Sequence, residues 1–214
     1  MNRDAILSML QMQHRMNSRV HEDWINQHFE WYRATWIECG ELMDHVGYKW
    51  WKQQTPDMEQ VRLEVVDIWH FGLSALFEPE TDLEILAAET ADDFTANGPS
   101  ESHDYGASQR IHAATEALAQ HALETKGFSV SLFHTLMQAC GLSADALYRH
   151  YVGKNVLNFF RQDHGYQDGT YIKEWRGRED NEHLSELLES LDATAVGFPE
   201  AVYEGLASRY ADVT

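Results

Sequence analysis

The chain has 214 residues, an apolar fraction of 43% and a formal net charge of −19, with 16 Lys and Arg against 35 Asp and Glu. That length and composition support one sizeable core, and the acidity argues against nucleic acid or an anionic membrane surface as a partner, since both would repel the chain. Two cysteines, Cys39 and Cys140, are too few for a disulfide framework and point to a reducing, cytoplasmic compartment; no apolar run is long enough for a membrane span or a signal peptide.

Taken in order, residues 4–17 carry Ile6, Leu7, Met9, Leu10 and Met16 at helical spacing, and Gln13 and Asn17, four apart, share a face. Read from the residues alone, that pair is solvated. From about 19 to 52 a helical pattern runs through Val20, Trp24, Phe29, Trp36, Met43 and Trp50, with Gly40 and Gly47 inside it. Glycine weakens a helix interior, and close approach of a backbone or a ligand is one reason to keep it there. Pro56 and the polar run from Gln53 to Asp57 break the pattern before a helix over 57–77.

Two carboxylate pairs lie on these segments, Glu38 with Glu41 and Glu64 with Asp67. Each is spaced i, i+3, so its members project from one helix face. Two helices joined by a short turn pack antiparallel, which can gather all four carboxylates. Such a cluster needs a positive partner, and Mg²⁺ prefers oxygen ligands. Trp36, Ile37, Leu42 and Met43 surround the first pair, and Val65, Val66, Ile68 and Trp69 the second. A solvated acidic face fits the same spacing.

A short helix is expected over Asp82–Phe94, then a loop in TANGPSESHDYGAS. Helices follow at about 109–125 and 128–140, separated by the stop signal Lys126-Gly127, and a third runs from a Ser143 cap to Arg161. Residues 162–179 form a Gly- and aromatic-rich loop that folds back onto the body, and the last helices are 180–191 and 198–210.

Lys154, Asn158 and Arg161, at i, i+4 and i+7, form one helical row, with Asn155 beside it and Lys173 in the following loop. Cations are scarce in this chain, and Lys and Arg beside Asn donors suit phosphate oxygens. An ordinary surface row paired with nearby acids fits as well. GKN at 153–155 lacks the rest of a Walker A loop. Carboxylates for Mg²⁺ and cations for phosphate are complementary halves of phosphoryl chemistry.

WIECGELMDHVGYKWWK at 36–52, EVVDIWHF at 64–71, YVGKNVLNFFRQDHGYQDGTYIKEWRGREDNEHL at 151–184 and, more weakly, MLQMQHRMN at 9–17 resemble the dimeric all-α dUTPases of the MazG-like nucleotide pyrophosphatase superfamily. The resemblance implies an all-α helical bundle over 1–214, with a rigid metal-binding core at about 1–77 plus the C-terminal helices and a mobile helical subdomain at about 78–150. It implies a homodimer that hydrolyses dUTP and dUDP to dUMP, limiting uracil in DNA. It implies two or three Mg²⁺ on Glu38, Glu41, Glu64 and Asp67, with Mn²⁺ able to substitute. Phosphate contacts are then expected from Lys154, Asn155, Asn158, Arg161 and Lys173. Gln13, Asn17 and Asn181 become candidates for base or sugar recognition, and Trp50 and Trp51 either wall the base or enter the core. Glu38 is the favoured general base, with Glu41 the alternative.

Other readings make different demands. A ferritin-like di-iron protein needs two Glu-x-x-His motifs, and only Asp67-Ile-Trp-His70 approximates one. An acidic interaction module leaves the collected cations unexplained, and another deoxynucleotide remains a possible substrate within the same family. A nucleophilic Cys39 sits between two carboxylates, where a thiolate is disfavoured.

Overall fold

The computed structural model describes residues 1–96, 106–193, 195 and 197–211, and no side chain at 95–96. Within them the chain is all-α apart from one two-stranded hairpin. The helices are α1 (Arg3–Val20), α2 (Trp31–Val46), α3 (Met58–Ala75), α4 (Leu83–Ala96), α5 (Ala107–Thr125), α6 (Val130–Ala139), α7 (Ala144–Asp163), α8 (Asp180–Ser190) and α9 (Phe198–Tyr210); the strands β1 (Glu174–Trp175) and β2 (Arg178–Glu179) lie between α7 and α8.

Local chemistry sets several boundaries. Asn2 caps α1 by accepting from the Ala5 N–H, Asp57 caps α3 through the Gln60 N–H, and Ser143 accepts from the Ala146 N–H at the expected start of α7. The long helical pattern expected over 19–52 contracts to α2. Asp23 draws Asn26 and Gln27 into a turn, and His28 takes a positive φ of 51°, which no helix propagates. At the other end Gly47 is the cap of α2, not an interior glycine. Its φ is 89°, and an added Cβ would stand 2.8 Å from the Gln54 Cβ. The loop expected over 95–108 has helical flanks, α4 reaching Ala96 and α5 starting at Ala107; its middle, 97–105, lies outside the described residues.

The chain divides into two compact units, 1–147 and 148–214, and the boundary falls inside α7. In the first unit α4 packs on α1, α5 on α2 and α6 on α3, which makes these three helices part of the body that carries both carboxylate pairs. The reason is α3, which is buried nearly all round through Val61, Val65, Val66, Ile68, Trp69 and Leu73. A helix apolar on every side needs neighbours on every side. Trp69 stacks on Phe133 of α6 at 4.6 Å, and Gly72 leaves room for the Phe128 ring, which an added Cβ would meet at 2.3 Å.

The second unit gathers around Phe160 of α7. Its ring meets those of Trp175 at 5.9 Å, Tyr203 at 5.3 Å and Tyr210 at 5.4 Å, so the aromatic loop does fold back. Arg176 and Gly177, both at positive φ, make the two-residue turn between β1 and β2, the turn form that matches strand twist. Leu184 and Leu188 of α8 and Val202 and Leu206 of α9 complete this core. No helix among the described residues is long and apolar enough to cross a membrane.

Candidate functional site

The helices α2 and α3 run antiparallel. Trp31 at the start of α2 meets Phe71 near the end of α3 at 6.4 Å, while the Asp57 N–H at the start of α3 bonds the His45 carbonyl at the end of α2, 2.9 Å away. This pairing brings Glu38, Glu41 and Glu64 together, with one oxygen from each lying within 4.8 Å of the others. Glu64 is buried, Glu38 half-buried and Glu41 exposed. Asp67 is half-buried and outside that tight set, but its charge still acts on Glu38.

Burial pushes the Glu38 carboxyl up to about 8, and repulsion from Asp67, Glu64 and Glu41 adds to the rise. Like charges in a partly desolvated place disfavour one another's ionised form. Three clustered carboxylates with this electrostatic demand are a donor set suited to a hard divalent cation.

His45 is a further neighbour of the cluster, not among the residues expected from the sequence. Its Nε2 lies 3.5 Å from Glu64 Oε1. It stands four residues after Glu41 and seven after Glu38, on the same face of α2. His70 shares a hydrogen bond of 3.0 Å between its Nδ1 and Gln13 Oε1.

Gln13 and Asn17 are not a solvated pair. Both are buried, at 5% and 8% exposure. Gln13 donates to Asn17 Oδ1 at 3.0 Å, Asn17 donates to Ser74 Oγ at 2.9 Å, and Ser74 donates to the His70 carbonyl at 3.0 Å. The four residues tie α1 to the end of α3 by polar contacts inside the first unit. Such a network is stable only when its members are satisfied.

Other expected positions differ. Trp50 and Trp51 are 90% and 61% exposed, in the connection between α2 and α3, so neither is core. Gly40 has nothing within 4 Å of an added Cβ, so no close neighbour explains it. Cys39 is buried, and burial followed by the Glu38 charge pushes its thiol up to about 12, which removes it as a nucleophile. A cleft of about 320 Å³, lined by Trp24, Trp31, Phe77 and Lys126 among others, opens toward the start of α2 and does not include the carboxylates.

In the second unit Arg161 is not an open cation. Its Nε and Nη2 donate to the two oxygens of Asp180, each at 2.8 Å, and Asp180 is fully buried. Burial opposes the guanidinium charge, and the bonds to Asp180 outweigh that, holding its pKa above the ordinary value. The Tyr171 hydroxyl donates to Asp180 Oδ2 as well, at 2.8 Å. No periodicity links Asp180 to Arg161 across 19 residues and a hairpin, which is why the sequence did not show the pair. Arg161 Nη1 donates to Asn158 Oδ1 at 3.3 Å. Lys173 pairs with Glu179 at 3.1 Å on the surface. Asn155 is fully enclosed beside Tyr151, unlike the half-buried Lys154 and Asn158 of the same helix, and Asn181 is half-buried in the first turn of α8.

The profile of the family described as dUTPase matches residues 5–166. That span takes in both carboxylate pairs and the row from Lys154 to Arg161, and ends before Lys173 and Asn181. No curated protein matches the chain.

Proposed function

The chain belongs to the dUTPase family and is a dUTP diphosphatase; from that premise we propose that it depends on Mg²⁺ held by Glu38, Glu41, Glu64 and Asp67, and that it converts dUDP as well as dUTP to dUMP. With dUTP, water adds across one phosphoanhydride bond and pyrophosphate leaves; with dUDP, phosphate leaves. The observation that carries the metal reading is the convergence of three carboxylate oxygens from two helices within 4.8 Å. A triphosphate and four carboxylates together carry about eight negative charges, and two or three divalent ions offset roughly four to six of them. Mn²⁺ has the same taste for oxygen ligands and is expected to substitute.

When bound, the cation supplies Lewis-acid polarisation of phosphate oxygens and lowers the pKa of a coordinated water. The chain's own residues supply the rest. Glu38 accepts the proton of the attacking water at its carboxylate, with Glu41 the alternative acceptor. Lys154 donates to phosphate oxygens. Asn158, with its Oδ1 engaged by Arg161, keeps its amide N–H₂ group as a donor. Arg161 then acts chiefly by holding Asn158 and Asp180, and Lys173, in an exposed pair, adds charge from the loop. Gln13 and Asn17 contribute to base or sugar recognition through the buried network beside α3, together with Asn181.

The exposed Trp36, Ile37, Tyr48, Trp50 and Trp51 support a homodimer, because so much exposed apolar surface favours burial against a partner. Buried free thiols at Cys39 and Cys140 support a cytoplasmic location.

The test is a panel of nucleoside di- and triphosphates with Mg²⁺, with Mn²⁺ and with EDTA, read as pyrophosphate and phosphate release. Expected are dUMP from dUTP and dUDP, no turnover in EDTA, and a loss of at least about a hundredfold in kcat for Glu64→Gln, since even outer-shell partners of a metal are worth ten- to a hundredfold. Full turnover in EDTA, or wild-type rates for Glu64→Gln, would remove the metal assignment.

A further inference from the structure

One nitrogen-bearing contact of the carboxylate cluster is His45, and nothing in the family match assigns it a role. Three observations converge on it. Its Nε2 stands 3.5 Å from Glu64 Oε1, while Glu64 faces Glu38 and Glu41 through its other contacts. Glu64 is 8% exposed, so little bulk water reaches it to fix its orientation. The His45 carbonyl also accepts the Asp57 N–H at 2.9 Å, and Asp57 caps α3, the helix that carries Glu64. His45 therefore meets α3 at two places, Glu64 through its ring and the capping Asp57 through its carbonyl.

We propose that His45 is a positioning residue of the metal centre, donating from Nε2 to Glu64 Oε1 so that the carboxylate presents its other oxygen to the cation. This rests on the metal-binding reading above. A carboxylate ligand among like charges turns away from them unless a donor holds it, and outer-shell donors of this kind tune metal affinity. The imidazole suits the role because it is 35% exposed at the side chain, close enough to reach inward without being a core residue.

The experiment measures Mn²⁺ binding to nucleotide-free protein by the loss of the free-ion spin-resonance signal, for wild type, His45→Ala and His45→Gln, with circular dichroism confirming helical content. Expected is a Kd for Mn²⁺ raised about ten- to a hundredfold in His45→Ala, with recovery of most of the affinity in His45→Gln, whose side chain restores an N–H donor. At saturating Mn²⁺ the KM for dUTP is expected to stay at the wild-type value, since His45 acts on the metal and not on the nucleotide. Wild-type Mn²⁺ affinity in a folded His45→Ala protein would overturn the positioning role alone. Equal weakening in both variants would overturn it too, by showing that the ring's bulk and not its donor matters. No Mn²⁺ binding by the wild-type protein would overturn the metal reading itself, and with it this inference.

Discussion

The helices α2 and α7 handle charge in opposite ways. On α2, Glu38 and Glu41 meet Glu64 with like charges gathered within 4.8 Å, and burial with their mutual repulsion raises the Glu38 carboxyl above its ordinary value. On α7, the cation Arg161 is answered by Asp180 through two bonds of 2.8 Å, deep in the second unit. Burying like charges together destabilises a fold and makes sense where a ligand will supply the opposite sign. Burying opposite charges together fixes a geometry. A cluster of acids and a row of bases looked like matching halves of one site in the sequence; in the structure one is a demand for cation and the other is in part a structural lock.

The largest effect expected from this contrast is on stability. Arg161→Ala leaves Asp180 as a fully buried carboxylate facing no guanidinium, and a loss of about 3–5 kcal/mol is expected, read by urea unfolding with tryptophan fluorescence. The double variant Arg161→Met, Asp180→Leu should recover most of that loss. A stable Arg161→Ala protein that has only lost affinity for dUTP would reverse the comparison and return Arg161 to the phosphate. Lys154→Ala is the smaller counterpart. Removing one charged donor to phosphate is worth about 1.5–3 kcal/mol, so KM for dUTP should rise by roughly tenfold or more while the unfolding midpoint stays put. An unchanged KM would leave the row with no role in phosphate binding.

The smallest effect is a pH slope. The folded-state value of Glu38 lies near 8, above its ordinary 4.5, so the folded state binds more protons than the unfolded one between those values. Its contribution is therefore fully present below about 4.5 and is lost as pH rises through 8. In EDTA the melting temperature is expected to fall from pH 5 to pH 8.5, less so in Glu38→Gln, and saturating Mg²⁺ should flatten the slope. A Glu38→Gln protein with the wild-type slope would place the retained proton elsewhere.

Much of this was legible in the chain. The period of apolar residues located most of the helices to within a few residues, and the i, i+3 spacing marked Glu38, Glu41, Glu64 and Asp67 as two single-face pairs. The extent of α2 was not legible, because a left-handed His28 and the Gly47–Gln54 contact end it, and neither leaves a mark in periodicity. The same holds for Gln13 and Asn17. Their spacing fits a solvated face, and only the approach of α3 makes them a buried network. His45 lies in register with the acids on α2, but a lone histidine on a helix face carries no signal of a carboxylate on another helix.

By itself the sequence determined the helical class, the two carboxylate pairs, the cation row and the family, since each depends on residue type and near-neighbour spacing along one chain. The tertiary structure alone decided that Asp180 neutralises Arg161, that Trp50 and Trp51 face outward, and that α4, α5 and α6 belong to the body around α3. Those outcomes depend on contacts between segments far apart in the chain, where burial and charge are properties of the assembled neighbourhood and not of any one stretch.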